Sequence, residues 1–73
     1  MPVQIVMDVT GDTRHSFDIN DEAAVADAKR RFEELADAGF IAAKRTGAGK
    51  SELLRSFDPT AEETLFVPRL VGG

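Results

Sequence analysis

Residues 20–39 read NDEAAVADAKRRFEELADAG, and this segment carries the clearest structural signal in the sequence. Its apolar side chains recur at spacings of three, four and three, which is one face of an α-helix: Val25, Ala28, Phe32 and Leu35. Asn20 or Asp21 can accept a hydrogen bond from the free N–H groups of a first helical turn. Gly39 supplies the left-handed residue that commonly ends a helix. The segment therefore predicts an amphipathic helix that packs on another layer.

Two strands are predicted before this helix. An alternation of period two is typical of a half-buried strand, and it runs through Val3, Ile5, Met7 and Val9. Residues 10–12 (TGD) follow as a cluster of turn-forming residues. Phe17 and Ile19 then share the parity expected of a second strand. Together these patterns predict an N-terminal β-hairpin.

Shorter elements are predicted after the helix. Residues 40–43 (FIAA) are apolar and indicate a third strand, and residues 46–50 (TGAGK) indicate a turn. Residues 53–54 mark a brief fourth strand or one helical turn, and residues 60–63 (TAEE) have the spacing of a capping box, which predicts a single helical turn. Residues 65–67 form the last strand. Since one helix can cover only one face of the sheet, the class is a two-layer α+β domain.

Composition limits the function classes open to this chain. It has 73 residues, 13 acidic against 9 basic, and a formal charge of −4. The length fits one domain with little room for a catalytic pocket, so we expect no enzyme. The acidic balance argues against a nucleic-acid partner, and the absence of cysteine excludes disulfides and thiolate zinc sites. The start of the chain does not resemble a signal peptide, and no apolar run could span a membrane, so a cytoplasmic location is expected.

The residues that invite a catalytic or metal-site interpretation do not support one. Residues 47–51 (GAGKS) lack the first glycine of a phosphate-binding loop, because Lys44 stands there, so a hairpin turn is the better interpretation. His15 is the only histidine and cannot anchor a transition-metal site alone; it is expected on the sheet surface. The acids of residues 18–22 lack the spacing of a calcium loop and fit a helix start. No catalytic residue and no metal site are predicted.

The last strand carries apolar side chains on both faces, because Leu65, Phe66 and Val67 are consecutive. If one face meets the helix, the other contributes an exposed apolar patch of the kind that often binds a partner. The alternative is that the loop of residues 58–64 covers this patch. Both interpretations remain open on the sequence alone.

The printed sequence ends in a glycine pair, Gly72-Gly73, preceded by Pro68, Arg69, Leu70 and Val71. Paired glycines give a thin segment whose backbone can enter a narrow slot. With the order of elements, the ending Arg-Leu-x-Gly-Gly resembles that of the β-grasp ubiquitin-like proteins. Residues 63–68 (ETLFVP) followed by the diglycine look equally like the small sulfur-carrier subunit of molybdopterin synthase. The resemblance implies a β-grasp fold over residues 1–68, with a mixed four- to five-stranded sheet and one helix on one face, and a flexible tail over residues 69–73.

The resemblance also implies a function as a substrate of other enzymes. In this family an E1-like activating enzyme binds the body and uses ATP and magnesium to convert the terminal carboxylate, here that of Gly73, to an acyl adenylate. Gly72 would give access, while Arg69, Leu70 and Val71 would be recognised along the tail. The chain itself would bind no cofactor.

Three functions follow from the resemblance. In a bacterial-type protein modifier, the adenylate passes to an enzyme cysteine, sometimes through an E2-like enzyme, and then to a lysine of a target protein, from which a deconjugating protease can release it. In a sulfur carrier, sulfide replaces the adenylate, and the thiocarboxylate donates sulfur to an acceptor. In the third, a β-grasp interaction or assembly module of the kind found in phage tail assembly, the tail is never activated. The modifier is the first expectation.

Overall fold

Five strands and one helix make up residues 1–69, the part of the chain that the computed structural model describes. In chain order they are β1 (Val3–Asp8), β2 (Gly11–Ser16), α1 (Glu22–Asp37), β3 (Phe40–Gly47), β4 (Lys50–Leu54) and β5 (Glu63–Pro68). The strands form one sheet in the order β2-β1-β5-β3-β4, in which β1 and β5 are parallel and the other neighbours antiparallel. This is the arrangement of a β-grasp fold, and the predicted α+β class is confirmed. No helix within residues 1–69 is long and apolar enough to cross a membrane.

Helix α1 begins and ends where the sequence predicts. Asp21 is the N-cap, and its Oδ1 accepts a hydrogen bond from the Ala24 N–H at 3.2 Å, which satisfies one free donor of the first turn. At the other end Gly39 takes a φ of +97° and donates its N–H to the Ala36 carbonyl at 3.1 Å. That left-handed conformation turns the chain from the helix directly into β3.

The β1–β2 hairpin turns earlier than predicted. Asp8 pairs with Gly11, so Val9 and Thr10 form a two-residue turn. The Asp8 Oδ1 accepts hydrogen bonds from the Thr10 N–H at 2.8 Å and the Thr10 hydroxyl at 2.6 Å. These bonds hold the turn, and they lower the pKa of the Asp8 carboxyl because they favour its charged form.

Because of this early turn, β2 ends at Ser16, and the placement of Phe17 and Ile19 in the second strand is wrong. Phe17 instead donates its N–H to the Pro2 carbonyl at 3.0 Å and is buried. Its ring centroid lies 6.1 Å from that of Phe57. Ile19 lies in the connection to α1 and is exposed.

The β3–β4 hairpin confirms the turn interpretation of residues 47–51. Gly47 pairs with Lys50, so Ala48 and Gly49 alone make the turn, and Gly49 takes a φ of +73°. Both strands run further than predicted, since only two residues are needed to reverse the chain. The segment continues into a strand rather than a helix, which excludes a phosphate-binding loop here.

Residues 60–63 do not form the predicted helical turn. The Thr60 hydroxyl and N–H both donate backwards to Oδ1 of Asp58, at 2.6 and 2.9 Å, instead of capping a turn ahead of them. The other carboxylate oxygen of Asp58 accepts from Lys44 Nζ at 3.2 Å, which ties this loop to β3. The chain then enters β5 at Glu63.

The core lies between α1 and the β5–β3 half of the sheet. Phe32 of α1 packs on Phe66 of β5 and Ala42 of β3, and all three are buried. The Phe32 and Phe66 rings meet edge to face with centroids 5.6 Å apart, and Phe57 closes the cluster at 6.2 Å from Phe32. The helix therefore seals one side of the central strands.

Candidate functional site

The start of the predicted tail is anchored beside the end of α1. Pro68 closes β5 opposite Phe40, and the Arg69 N–H donates to the Gly39 carbonyl at 3.1 Å. Leu70, Val71, Gly72 and Gly73, on which the predicted activation depends, lie outside the described residues. The central strand therefore ends next to the turn between α1 and β3.

Within residues 1–69, the sheet side turned away from α1 has no helix over it, and we call it the open face. Leu65 and Val67 lie on it because they alternate with the helix-facing Phe66. Phe66 has no exposed surface, so the prediction that it joins the partner patch is wrong. The patch in β5 consists of Leu65 and Val67 alone.

Neighbouring strands extend the open face into a contiguous apolar surface. Ile41 of β3 pairs with Val67, and Leu53 of β4 pairs with Ala43 of the same face. Ile41 and Val67 are each 38% exposed and Leu53 is 71% exposed, so the loop of residues 58–64 does not cover them. This surface has the apolar character of a partner-binding patch.

The apolar alternation of β1 also belongs to the open face. Gln4 and Val6 point to the helix side, since Gln4 bonds to α1 and Val6 packs on the core cluster. Ile5 and Met7 consequently point to the open face, where Met7 is 42% exposed. The periodicity identified the strand correctly, but its apolar set does not meet the helix.

A polar groove lies at the β2 edge of the sheet, between β2 and the first half of α1. Its volume is about 360 Å³, and its lining includes Arg14, His15 and Ser16 from β2 and Asp27 and Arg31 from α1. His15 is half-buried on the helix side of the sheet rather than on an open surface. The groove thus brings the only histidine of the sequence close to Arg31.

Gln4 lies beneath this groove and holds one of its lining residues in position. It is 1% exposed, its Nε2 donates to the Ala28 carbonyl at 3.0 Å, and its Oε1 accepts from Arg31 Nη1 at 2.8 Å. No sequence motif identified Gln4 or Arg31 as functional. The available signal was a single polar residue inside the apolar run of residues 3–7 (VQIVM), which marks a side chain that needs buried partners.

The surroundings of His15 in the groove favour its neutral form. Burial lowers the pKa of His15 from its ordinary value, and the nearby positive charge of Arg31 lowers it further. Within residues 1–69, no group of three or more His, Asp or Glu side chains is arranged to hold a metal ion.

Comparison with known proteins yields no relative. No protein-family model, no curated protein and no solved structure matches this chain. Three features of the molecule therefore carry the functional conclusions: the segment that follows Arg69, the open face and the polar groove.

Proposed function

We propose that this protein is a ubiquitin-like modifier, activated at the carboxylate of Gly73 and conjugated to target proteins in the cytoplasm. The observation that carries the proposal is the position of β5. This central strand presents Leu65 and Val67 on the open face and leads directly into Arg69, the first residue of the proposed tail. An enzyme that binds the open face would therefore lie close to the point where the tail begins.

In this reaction the chain supplies only the Gly73 carboxylate, and ATP and the partner proteins supply the other reactive groups. The Gly73 carboxylate attacks the α-phosphorus of ATP, and pyrophosphate leaves with its magnesium. A cysteine thiolate of the activating enzyme then displaces AMP, and a lysine amine of the target displaces the thiolate to give an isopeptide. Gly72 and Gly73 carry no side chain that would block a narrow catalytic slot.

A sulfur carrier is the second candidate, favoured by residues 63–68 (ETLFVP) ahead of the diglycine. It shares the adenylation step and differs in the nucleophile, since sulfide displaces AMP and leaves a thiocarboxylate on Gly73. The two functions therefore predict different masses for the same terminus.

The test compares tagged wild-type protein with a variant lacking Gly72 and Gly73, both expressed in the native host. Heavier adducts on a blot with wild type only, absent from the deletion, are the expected result. An unconjugated species whose mass reports one oxygen-to-sulfur exchange would instead establish the sulfur carrier. Intact mass also shows whether Gly73 carries the free carboxylate, either as encoded or after proteolysis. If neither form is seen and the deletion strain behaves normally, activation at Gly73 is wrong and a binding module is the better function.

A second arm tests the open face. Val67→Asp and the milder Ile41→Ser should reduce adducts because each places a polar group in the surface that the activating enzyme would desolvate. Ala26→Asp is the matched control, since Ala26 is exposed on α1 on the other side of the molecule. Thermal melting verifies that each variant folds. Normal adduct levels with both open-face variants would show that this face is not the docking surface.

A further inference from the structure

The polar groove between β2 and α1 concentrates positive charge on a chain whose net charge is −4. Arg31 lines it, and the one carboxylate in its lining, that of Asp27, is held by Arg30 Nη2 at 3.2 Å. Arg14 also lies along the groove, but it pairs with Ile5 in the strand register, so its side chain alternates to the open face, where Asp12 lies 4.0 Å from it. The groove therefore offers the guanidinium of Arg31, which the acid of its own lining does not neutralise.

Arg31 is positioned by a neutral partner rather than by an acid. One of its N–H groups donates to the buried amide of Gln4, and no carboxylate within residues 1–69 lies within 4.0 Å of its guanidinium as an ion pair. A guanidinium has five N–H donors in a planar arrangement. The bond to Gln4 orients the Arg31 guanidinium and uses only one of these donors. A half-buried, oriented guanidinium of this kind fits an oxyanion with two parallel hydrogen bonds.

His15 supplies a second donor next to Arg31. It lies in β2 directly opposite Gln4, so both side chains share the helix-facing side of the sheet. The β2 backbone on either side of His15 completes that wall of the groove. Donors therefore approach from both walls, which suits a tetrahedral ligand better than a planar one.

We propose that this groove binds a phosphate group, with Arg31 bonding two of its oxygens and an imidazole N–H of His15 a third. The site is independent of the diglycine tail and of the open face, because it lies at the β2 edge and uses none of their residues. A free phosphate ion or the phosphate of a small monoester would present the same oxygens.

The single histidine gives a direct measurement. The carbon-bound imidazole protons of His15 are followed by NMR while inorganic phosphate, and separately sulfate, is added at constant ionic strength. We expect a saturable change and a rise in the pKa of His15 in the bound state, because an anion favours the imidazolium. Sulfate remains a dianion through this pH range, so only His15 changes its charge. The affinity for sulfate should therefore increase as the pH falls through the titration of His15. Acetate should bind at least about tenfold more weakly at the same concentrations. It offers only two oxygens to these donors, whereas phosphate and sulfate offer four.

Variants separate a site from a diffuse charge effect. Arg31→Gln should weaken phosphate and sulfate binding about tenfold or more, since a charge-assisted pair of bonds is lost. His15→Gln should retain part of the binding, followed by backbone amide resonances, and lose its pH dependence. Arg45→Gln is the matched control because it removes the same charge on β3, where Arg45 pairs with Glu63 at 3.4 Å.

The outcomes decide the proposal either way. A saturable response lost in Arg31→Gln and kept in Arg45→Gln establishes the site. The proposal is overturned if wild type shows no saturable change, if acetate binds as well as phosphate, or if Arg45→Gln loses as much affinity as Arg31→Gln. Amide spectra confirm that each variant folds, and His15→Gln supplies an independent test should Arg31→Gln fail to do so. Free phosphate and a monoester are distinguished by repeating the titration with glycerol phosphate.

Discussion

At the scale of single residues, Gln4 shows how a buried polar side chain acquires a role. It is nearly inaccessible, yet both ends of its amide are bonded, to the Ala28 carbonyl and to Arg31. A buried amide without partners would be costly, so these two bonds permit a polar residue under the helix. They also fix Arg31 at the groove without a compensating negative charge.

Replacing Gln4 therefore tests both stability and position. Gln4→Met keeps most of the volume but loses both hydrogen bonds, and it should lower the free energy of unfolding by about 1 kcal/mol. Gln4→Ala adds a cavity and should cost about 2 to 3 kcal/mol. Urea unfolding midpoints give both values.

The same variants bear on the groove. Gln4→Met should weaken phosphate binding because Arg31 loses the partner that orients it, and a residue with only a structural role would not do this. A Gln4→Met protein as stable as wild type, with unchanged phosphate affinity, would contradict both expectations.

At the scale of elements, the connection between α1 and β3 consists of Ala38 and Gly39 alone. The α1–β3 connection depends on Gly39, whose φ of +97° favours glycine. A Cβ added there would meet no atom within 4 Å, so the cost of a side chain comes from the backbone alone. The carbonyl of Gly39 also receives the Arg69 N–H, so this turn supports the start of the tail.

Gly39→Ala should therefore lower the free energy of unfolding by about 1 kcal/mol. Gly47→Ala is the matched control, because that site is equally open but its φ is not positive. It should be neutral or stabilising by about 0.5 kcal/mol, since alanine restricts the unfolded chain. Thermal melts of both variants give the comparison, and equal losses from the two would show that conformation at Gly39 is not the cause.

Elements were predictable from sequence where local chemistry sets them. The bounds of α1 follow from Asp21 and Gly39, which act within a few residues of themselves. The faces of the strands did not follow, because β1 and β5 carry apolar side chains on both sides and only the helix's position distinguishes them. The same ambiguity hid Phe66 in the core and placed it wrongly in the patch. The groove was missed because its residues, Gln4, His15 and Arg31, are brought together only by tertiary packing.

At the scale of the whole molecule, charge makes stability depend on pH. Hydrogen bonds from the Thr60 hydroxyl, the Thr60 N–H and Lys44 hold the pKa of Asp58 below its ordinary value of 3.8. The unfolded chain then binds a proton at Asp58 before the folded chain does, so this stabilisation is full above about pH 4 and is lost as the pH falls further. The lowered pKa of His15 acts in the same direction at higher pH, since the unfolded state is protonated first as the pH falls below 6.5.

We therefore expect the free energy of unfolding to fall in two steps as the pH is lowered from 7 to about 3. Asp58→Asn should reduce the lower step, to which Asp8 also contributes through its lowered pKa, and Thr60→Val should reduce it less because it removes only the hydroxyl donor. His15→Gln should remove the upper step. Urea unfolding across this pH range measures each slope, and an unchanged lower step in both Asp58→Asn and Thr60→Val would rule out the Asp58 hydrogen bonds as its source.

The central place of β5 has a consequence for synthesis of the chain. The β1–β2 and β3–β4 hairpins share no strand pairing, and β5 alone joins them. During translation the residues of both hairpins are made before residues 63–68, and without β5 the sheet cannot close and Phe32 has no Phe66 to pack on. Closure then requires a contact between the two ends of the domain, which is the slow kind of contact in folding. A prematurely ended chain would stay unfolded and open to proteases, and only finished copies would display a body with β5 in place.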